Sequence, residues 1–264
     1  MMKHYSHARI NENLEKEGSQ ELKAHLQSVT HIALQNVHAN ANFYLDHKQI
    51  RHLIQDICLF HDLGKYTTYF QNYLLDRQKV SNDLKKHSRL GAYFLANKYF
   101  HEDFNLALIS YFCVMNHHGN LDYIRNLEFF GETGKEKYKK RFLQQKSDLE
   151  QKIDQIEKEL SITDLQRFLY FPDYSSFRKH IKRKLKNRFT IQNYFLINYI
   201  FSLLSEADKI DASNTPVYEK RPINEKAVEA IIPLKNLSDF PALENIHGQN
   251  ELRNLARSTV VHHI

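Results

Sequence analysis

The chain has 264 residues, 42% of them hydrophobic, which is enough to bury a sizeable core in one domain. With only 7 glycines and 5 prolines it excludes a turn-dense β architecture, and its long amphipathic stretches point to an all-α protein. A net charge of +6 suits a polyanionic partner without requiring one.

The two cysteines, Cys58 and Cys113, each sit inside an apolar helical run. They form neither a disulfide framework nor a CxxC metal knuckle, so a reducing cytoplasm is the expected setting. Residues 1–9 lack the apolar core of a signal peptide. The most hydrophobic stretch, 194–204, is interrupted by Asn198 and Ser202 and is too short to span a bilayer; no membrane partner is expected. The unusual number is 16 histidines. Histidine is the commonest metal ligand, so placement decides which of them matter. His4, His7, His47, His52, His101, His180, His247, His262 and His263 stand in polar or terminal contexts and read as incidental.

Residues 21–35 read as a first helix, with Ser19 as its N-cap and Leu22, Leu26, Val29 and Ala33 along its apolar stripe. His25 lies beside that stripe; His31 and His38 are the competing candidates nearby. A second helix carries Ile50, Leu53, Ile54, Ile57 and Cys58 at helical spacing and runs into Cys58-Leu59-Phe60-His61-Asp62-Leu63-Gly64-Lys65. Its end is expected near Gly64, in the left-handed conformation that glycine tolerates. His61 and Asp62 then sit at the partially negative end of a helix, where a divalent cation is stabilised. Lys65 follows within reach of a phosphate oxygen.

Thr67 or Thr68 caps a short helix bearing Tyr69, Phe70, Tyr73 and Leu74, and a polar connector spans 76–86. His87-Ser88-Arg89-Leu90-Gly91-Ala92 opens the next helix, where Gly91 and Ala92 allow close approach of a neighbouring backbone. The apolar helix 106–115 ends in Asn116-His117-His118-Gly119-Asn120, and adjacent histidines on a helix project about 100° apart, able to grip different sides of one metal.

From 131 to 189 the character changes. Residues 132–160 are dense in Lys, Glu and Gln with a thin apolar seam at Tyr138, Phe142, Leu149, Ile153, Ile156 and Leu160, which reads as a long solvated helix, or a helical hairpin arm, packed on one edge. Residues 177–189 form a basic flank. Lys182, Arg183 and Lys186 there are the candidate DNA contacts, with Tyr170, Phe171 and Tyr174 as possible stacking surfaces. Residues 191–210 return to a buried helix, in which Asp208 is a carboxylate needing a cation or donors to offset its desolvation. Asp211 lies nearer the polar exit and is the weaker candidate. Four prolines punctuate the segment after 215, and residues 250–261 read as a closing helix.

The order His25, His61-Asp62, Asp208 resembles the ligand set of the HD metal-dependent phosphohydrolase superfamily. Within it, His61-Asp62-Leu63-Gly64-Lys65, then His87-Ser88-Arg89-Leu90-Gly91-Ala92, then His117-His118-Gly119, then Ala207-Asp208-Lys209 is similar to the HD nuclease of type I CRISPR interference. The resemblance covers 22–213, and Asn250-Glu251-Leu252-Arg253 resembles the end of that domain.

It implies one HD nuclease domain over 1–264: an HD-domain helical bundle with a metal core at about 19–130 and 190–215, a helical basic insertion at about 131–189, and a C-terminal loop and helix at 215–264. It implies a first divalent metal on His25, His61, Asp62 and Asp208. A second falls to His87, His117 and His118, with Asp62 bridging and Lys65 contacting phosphate. Two such cations can activate a hydroxide and clamp the phosphoryl oxygens of an in-line displacement. The implied cofactors are manganese, nickel, cobalt or magnesium, with iron and zinc as further options. The implied substrate is single-stranded DNA, and the partners are a CRISPR-associated helicase and the RNA-guided surveillance complex. No GxxxxGK[ST] motif occurs, so unwinding belongs elsewhere. The alternative is an HD-type phosphohydrolase of small nucleotides, which needs only the first metal set. An HD-GYP phosphodiesterase would have Glu after the doublet, where this chain has Gly119.

Overall fold

The chain opens on a β-hairpin that its sequence conceals. In the computed structural model, β1 (Tyr5–Ile10) pairs antiparallel with β2 (Lys16–Glu21), with irregular register on either side of His7. Ser19, expected to cap the first helix, lies inside β2. That helix, α1 (Leu22–Gln35), begins at Glu21 without a side-chain cap, because its first turn continues directly from the strand. The structure describes residues 3–39, 41, 43–121, 135–170 and 191–213. All belong to the first of two compact units, Met1–Val217 and Tyr218–Ile264. The closing helix expected over 250–261 lies outside the described residues.

The other described elements are helical, as expected for the class. α2 (His47–Phe60) starts with a capping box, Asp46 and Gln49 satisfying each other's backbone N–H. A 3-10 turn follows (Leu63–Tyr66), then α3 (Thr68–Leu74), which Thr67 caps by accepting from Phe70 N–H. α4 (Ser88–Phe100) and α5 (Phe104–Asn116) form an antiparallel pair separated by a tight turn, in which Asp103 caps α5. Next come α6 (Lys135–Glu150), α7 (Ile153–Leu160), the short α8 (Leu165–Phe168) and α9 (Ile191–Ala212).

The periodic residues of α1, α2, α4, α5 and α9 share one core. Leu26, Ile54, Ile57, Leu95, Ile109 and Leu196 are each no more than 1% exposed, so the long helices are held by one another and not by propensity. Among the described residues, no helix is long and apolar enough to cross a membrane.

Two glycines set how closely these helices approach. A Cβ on Gly91 would run into the carbonyl of Phe60, so the start of α4 rests directly on the end of α2, the close approach expected there. Gly64 corrects its sequence reading. α2 ends at Phe60, and Gly64 sits in the 3-10 turn without a positive φ. Glycine is needed at that position because a Cβ would lie 2.6 Å from His87 Cα and nearer still to its carbonyl oxygen.

Candidate metal centre

α2 and α5 end in the same way, on a histidine. His61 is the C-cap of α2, and its Nδ1–H donates to the carbonyl of Cys58 at 2.7 Å. His117 is the C-cap of α5 and donates to Val114 at 2.6 Å. Each bond satisfies a carbonyl that the helix end would otherwise leave open. It also fixes the tautomer, because a carbonyl can only accept, and so the Nε2 lone pair points outward. The two rings meet edge to face with centroids 5.0 Å apart. Asp62, directly after the α2 cap, is fully buried between them.

The two oxygens of Asp62 look in different directions. Oδ2 lies 3.3 Å from His25 Nε2 and 3.4 Å from His61 Nε2, while Asp208 Oδ1 stands 3.4 Å and 3.7 Å from the same two nitrogens. Oδ1 lies 3.2 Å from His87 Nε2 and 3.5 Å from His117 Nε2, and His118 joins this side through a 2.6 Å contact between its Nε2 and that of His87. Two groups result, His25–His61–Asp62–Asp208 and Asp62–His87–His117–His118, each with ligand atoms within 4.8 Å of one another. Asp62 is the member common to both.

These groups fit divalent cations. Nε2 of His25, His61 and His117 and Oδ1 of Asp62 are buried without a hydrogen-bond partner. Unpaired buried polar atoms are costly, and their convergence on shared space is what a bound cation would compensate. Imidazole and carboxylate donors suit first-row divalent metals.

Electrostatics holds the set in opposed states. Burial favours the neutral form of Asp62, but Lys65, His61 and His87 outweigh it and hold the carboxyl well below its usual range. Burial likewise opposes charge on His61, yet Asp62 and Asp208 raise it to about 10. Burial and the neighbouring His117 and His87 push His118 down to about 3. Lys65 Nζ lies 2.7 Å from Asp62 Oδ2 and 3.4 Å from the carbonyl of Ser6, and the residue is buried. The lysine expected to meet phosphate therefore rests on the central carboxylate.

All the expected ligands thus come together, drawn from α1, the ends of α2 and α5, the start of α4, and α9. His31 and His38 point to the exposed side of α1 and its exit, away from the cluster. Lys182, Arg183 and Lys186 lie outside the described residues, as do Phe171 and Tyr174.

Two further residues belong to the surroundings and were passed over. Asp211 Oδ2 lies 2.6 Å from His25 Nδ1. One helical turn after Asp208, it faces the same way, and that i, i+3 spacing was the available signal. His7 presents its ring edge-on to His25, with centroids 5.3 Å apart and a buried Nε2 without a hydrogen-bond partner. The irregular register around it turns the side chain inward, a strand effect that a helical reading could not anticipate.

The segment 135–160 packs along one edge. Its seam residues Phe142, Leu149, Ile156 and Leu160 are buried, and the helix breaks at Gln151 and Lys152 into α6 and α7. Tyr138, also expected in the seam, has no described side chain. Gln145 donates to the carbonyls of Leu84 and Lys86, just ahead of His87. Asp148 accepts from Thr68 N–H, and Glu159 from the Tyr66 hydroxyl, on either side of the turn that follows Lys65. Both ligand-bearing turns are braced from this direction.

A helical bundle that gathers a histidine–aspartate cluster of this form defines an HD-type metal-dependent hydrolase. The family model "Cas3, HD domain" matches residues 11–179, well over half of the chain. The chain belongs to that family, the HD nucleases of type I CRISPR systems. Asp208 stands beyond the matched segment and still reaches the cluster. No curated protein matches the chain.

Proposed function

We propose that this protein cleaves single-stranded DNA by metal-dependent hydrolysis of the backbone phosphodiester, acting with a CRISPR-associated helicase and an RNA-guided surveillance complex. The observation that carries the reading is Asp62, fully buried, with each carboxylate oxygen turned to a different set of imidazole nitrogens. His25, His61, Asp62 and Asp208 would hold one divalent ion and Asp62, His87, His117 and His118 the other. Ions bound there supply Lewis acidity, lowering the pKa of water and neutralising phosphoryl charge.

The chain's own residues do the rest. The Nδ1–H bonds of His25, His61 and His117 fix ring orientation, so the donor set is arranged before any ligand arrives. Lys65, beside Asp62, would hold a nonbridging phosphate oxygen. His118, the exposed member of the second set, marks the side from which a polymeric substrate enters. The basic residues Lys182, Arg183 and Lys186 would track the strand.

Manganese-stimulated degradation of single-stranded DNA, abolished in Asp62→Ala, is the expected result. Cleavage that survives Asp62→Ala would overturn the assignment. Turnover of mononucleotides far above that of DNA would favour a small-molecule phosphohydrolase, in which a second ligand set has no evident use.

A further inference from the structure

The two ligand groups are chemically unequal, and the inequality lies behind His25. His61 and His117 donate Nδ1–H to backbone carbonyls, which are neutral. His25 donates instead to a carboxylate: its Nδ1 is 2.6 Å from Asp211 Oδ2, and the Asp211 side chain is only 8% exposed. The same oxygen accepts from Gln20 Nε2 at 2.7 Å, so β2, α1 and α9 are tied together at this one atom. A carboxylate behind an imidazole makes the opposite nitrogen a stronger donor and adds negative charge to the pocket in front of it. The first group thus has Asp62 and Asp208 in contact and Asp211 behind, whereas the second has Asp62 alone with three imidazoles.

The contacts within the two groups differ as well. His87 and His118 bring their Nε2 atoms within 2.6 Å of each other, whereas Nε2 of His25 and of His61 make no such contact, and the cation set against the first group is the Lys65 ammonium, 2.7 Å from Asp62 Oδ2.

We propose that Asp211 is a positioning residue that makes the His25–His61–Asp62–Asp208 pocket the tighter of the two and the first to fill, the second loading only at higher metal concentration. This rests on the metal-dependent reading above and adds to it an order of loading and the residue that sets it.

The test is a manganese titration of the full chain stripped with EDTA, following free Mn²⁺ by its electron paramagnetic resonance signal and bound metal by equilibrium dialysis. The wild-type protein should bind in two resolved phases. Asp211→Asn, nearly isosteric, removes the charge while leaving an acceptor; it should weaken the first phase by about tenfold and leave the second within about twofold. Asp211→Ala should weaken the first phase by about 10- to 100-fold, the usual cost of losing such a partner. The second phase is an internal control, because general loosening of the fold would weaken both together. Equal affinities in the wild type, an unchanged first phase in Asp211→Asn, or parallel weakening of both phases would each overturn the proposal while leaving metal dependence intact. A wild-type chain that binds no manganese would instead reject the metal-dependent reading itself.

Discussion

Gly64→Ala tests the idea that the second ligand group is assembled by backbone contact between the 3-10 turn and the start of α4. The added Cβ would lie 2.6 Å from His87 Cα and 2.8 Å from its carbonyl carbon, whereas ordinary contact begins at 3.4 Å. The tightest contact, 2.3 Å to the His87 carbonyl oxygen, requires a retreat of about 1 Å, more than the ~0.5 Å tolerance that a preorganised site allows. Neither neighbour yields cheaply. Thr67 holds the Gly64 carbonyl through both its hydroxyl and its N–H, and Gln145 clamps the backbone two residues before Ser88. Forced overpacking of this kind costs about 2 kcal/mol. For a domain of this size that lowers Tm by about 4–8 °C.

The displacement acts on His87, so the later phase of metal binding should weaken by at least about tenfold while the earlier phase holds. Gly119→Ala is the matched control, because its nearest neighbour is Asn116 O at 3.9 Å. Calorimetric melting with and without manganese, together with metal titration, reads both effects. A Gly64→Ala protein with wild-type Tm and wild-type binding in both phases would refute the reasoning.

Lys65→Ala removes the cation that rests on Asp62. DNA cleavage should fall by about 10²–10³, the loss typical of one charge-stabilising donor, while manganese affinity stays equal or rises; a parallel fall in affinity would contradict the role given to Lys65. The pH dependence follows from His61, raised from 6.5 to about 10 by Asp62 and Asp208 against the effect of burial. Its protonation stabilises the metal-free fold fully below about pH 6.5, and that contribution is lost as pH rises towards 10. Metal needs the same nitrogen unprotonated, so affinity should rise over this window and binding should release protons, measurable by calorimetry in buffers of different ionisation enthalpy. Neutralising Lys182, Arg183 and Lys186 together should weaken single-strand binding and reduce the slope of log K against log salt by about two, at ~0.7 per contact; an unchanged slope would remove them from the interface.

The parts of the site visible in the sequence are those whose chemistry is local. His61-Asp62, the doublet His117-His118 and the isolated Asp208 on an apolar helix each violate the expectation for their position, and a buried polar residue is informative for that reason. His25 alone was ambiguous beside His31 and His38, and what separates them is the direction of α1 within the bundle. Asp211 and His7 were discounted because each looked solvated in sequence: one near a polar exit, the other in a short N-terminal segment with no helical pattern. Both are partly covered by tertiary partners, Asp211 by Gln20 and His25, His7 by the hairpin folding onto Lys65 and His25. The hairpin escaped notice because β2, Lys-Glu-Gly-Ser-Gln-Glu, carries no alternating apolar residues. It is held by pairing with β1, by the ring of Tyr5 over Gly18, and by Gln71, which bonds both backbone groups of Tyr5.

The same physical economy explains why the ligands converge although they are spread over α1, α2, α4, α5 and α9. A helix end must satisfy its last carbonyls, and a histidine at the cap does so with Nδ1 while leaving Nε2 free. α2 and α5 both end this way, so satisfying the backbone and orienting the ligand are one event at His61 and at His117. Gly91 then sets the end of α2 against the start of α4, and Gly64 sets the turn after Asp62 against His87. Replacing His61 or His117 should consequently do more than delete a ligand. The vacated carbonyl of Cys58 or Val114 would need a new donor in a region sealed from water, so the variant should lose stability even when metal is absent. A ligand such as His118, exposed and without a capping role, should show no such penalty when melting is compared in EDTA. Equal metal-free melting temperatures for His61→Ala, His117→Ala and His118→Ala would separate capping from coordination and break this account of how the centre is built.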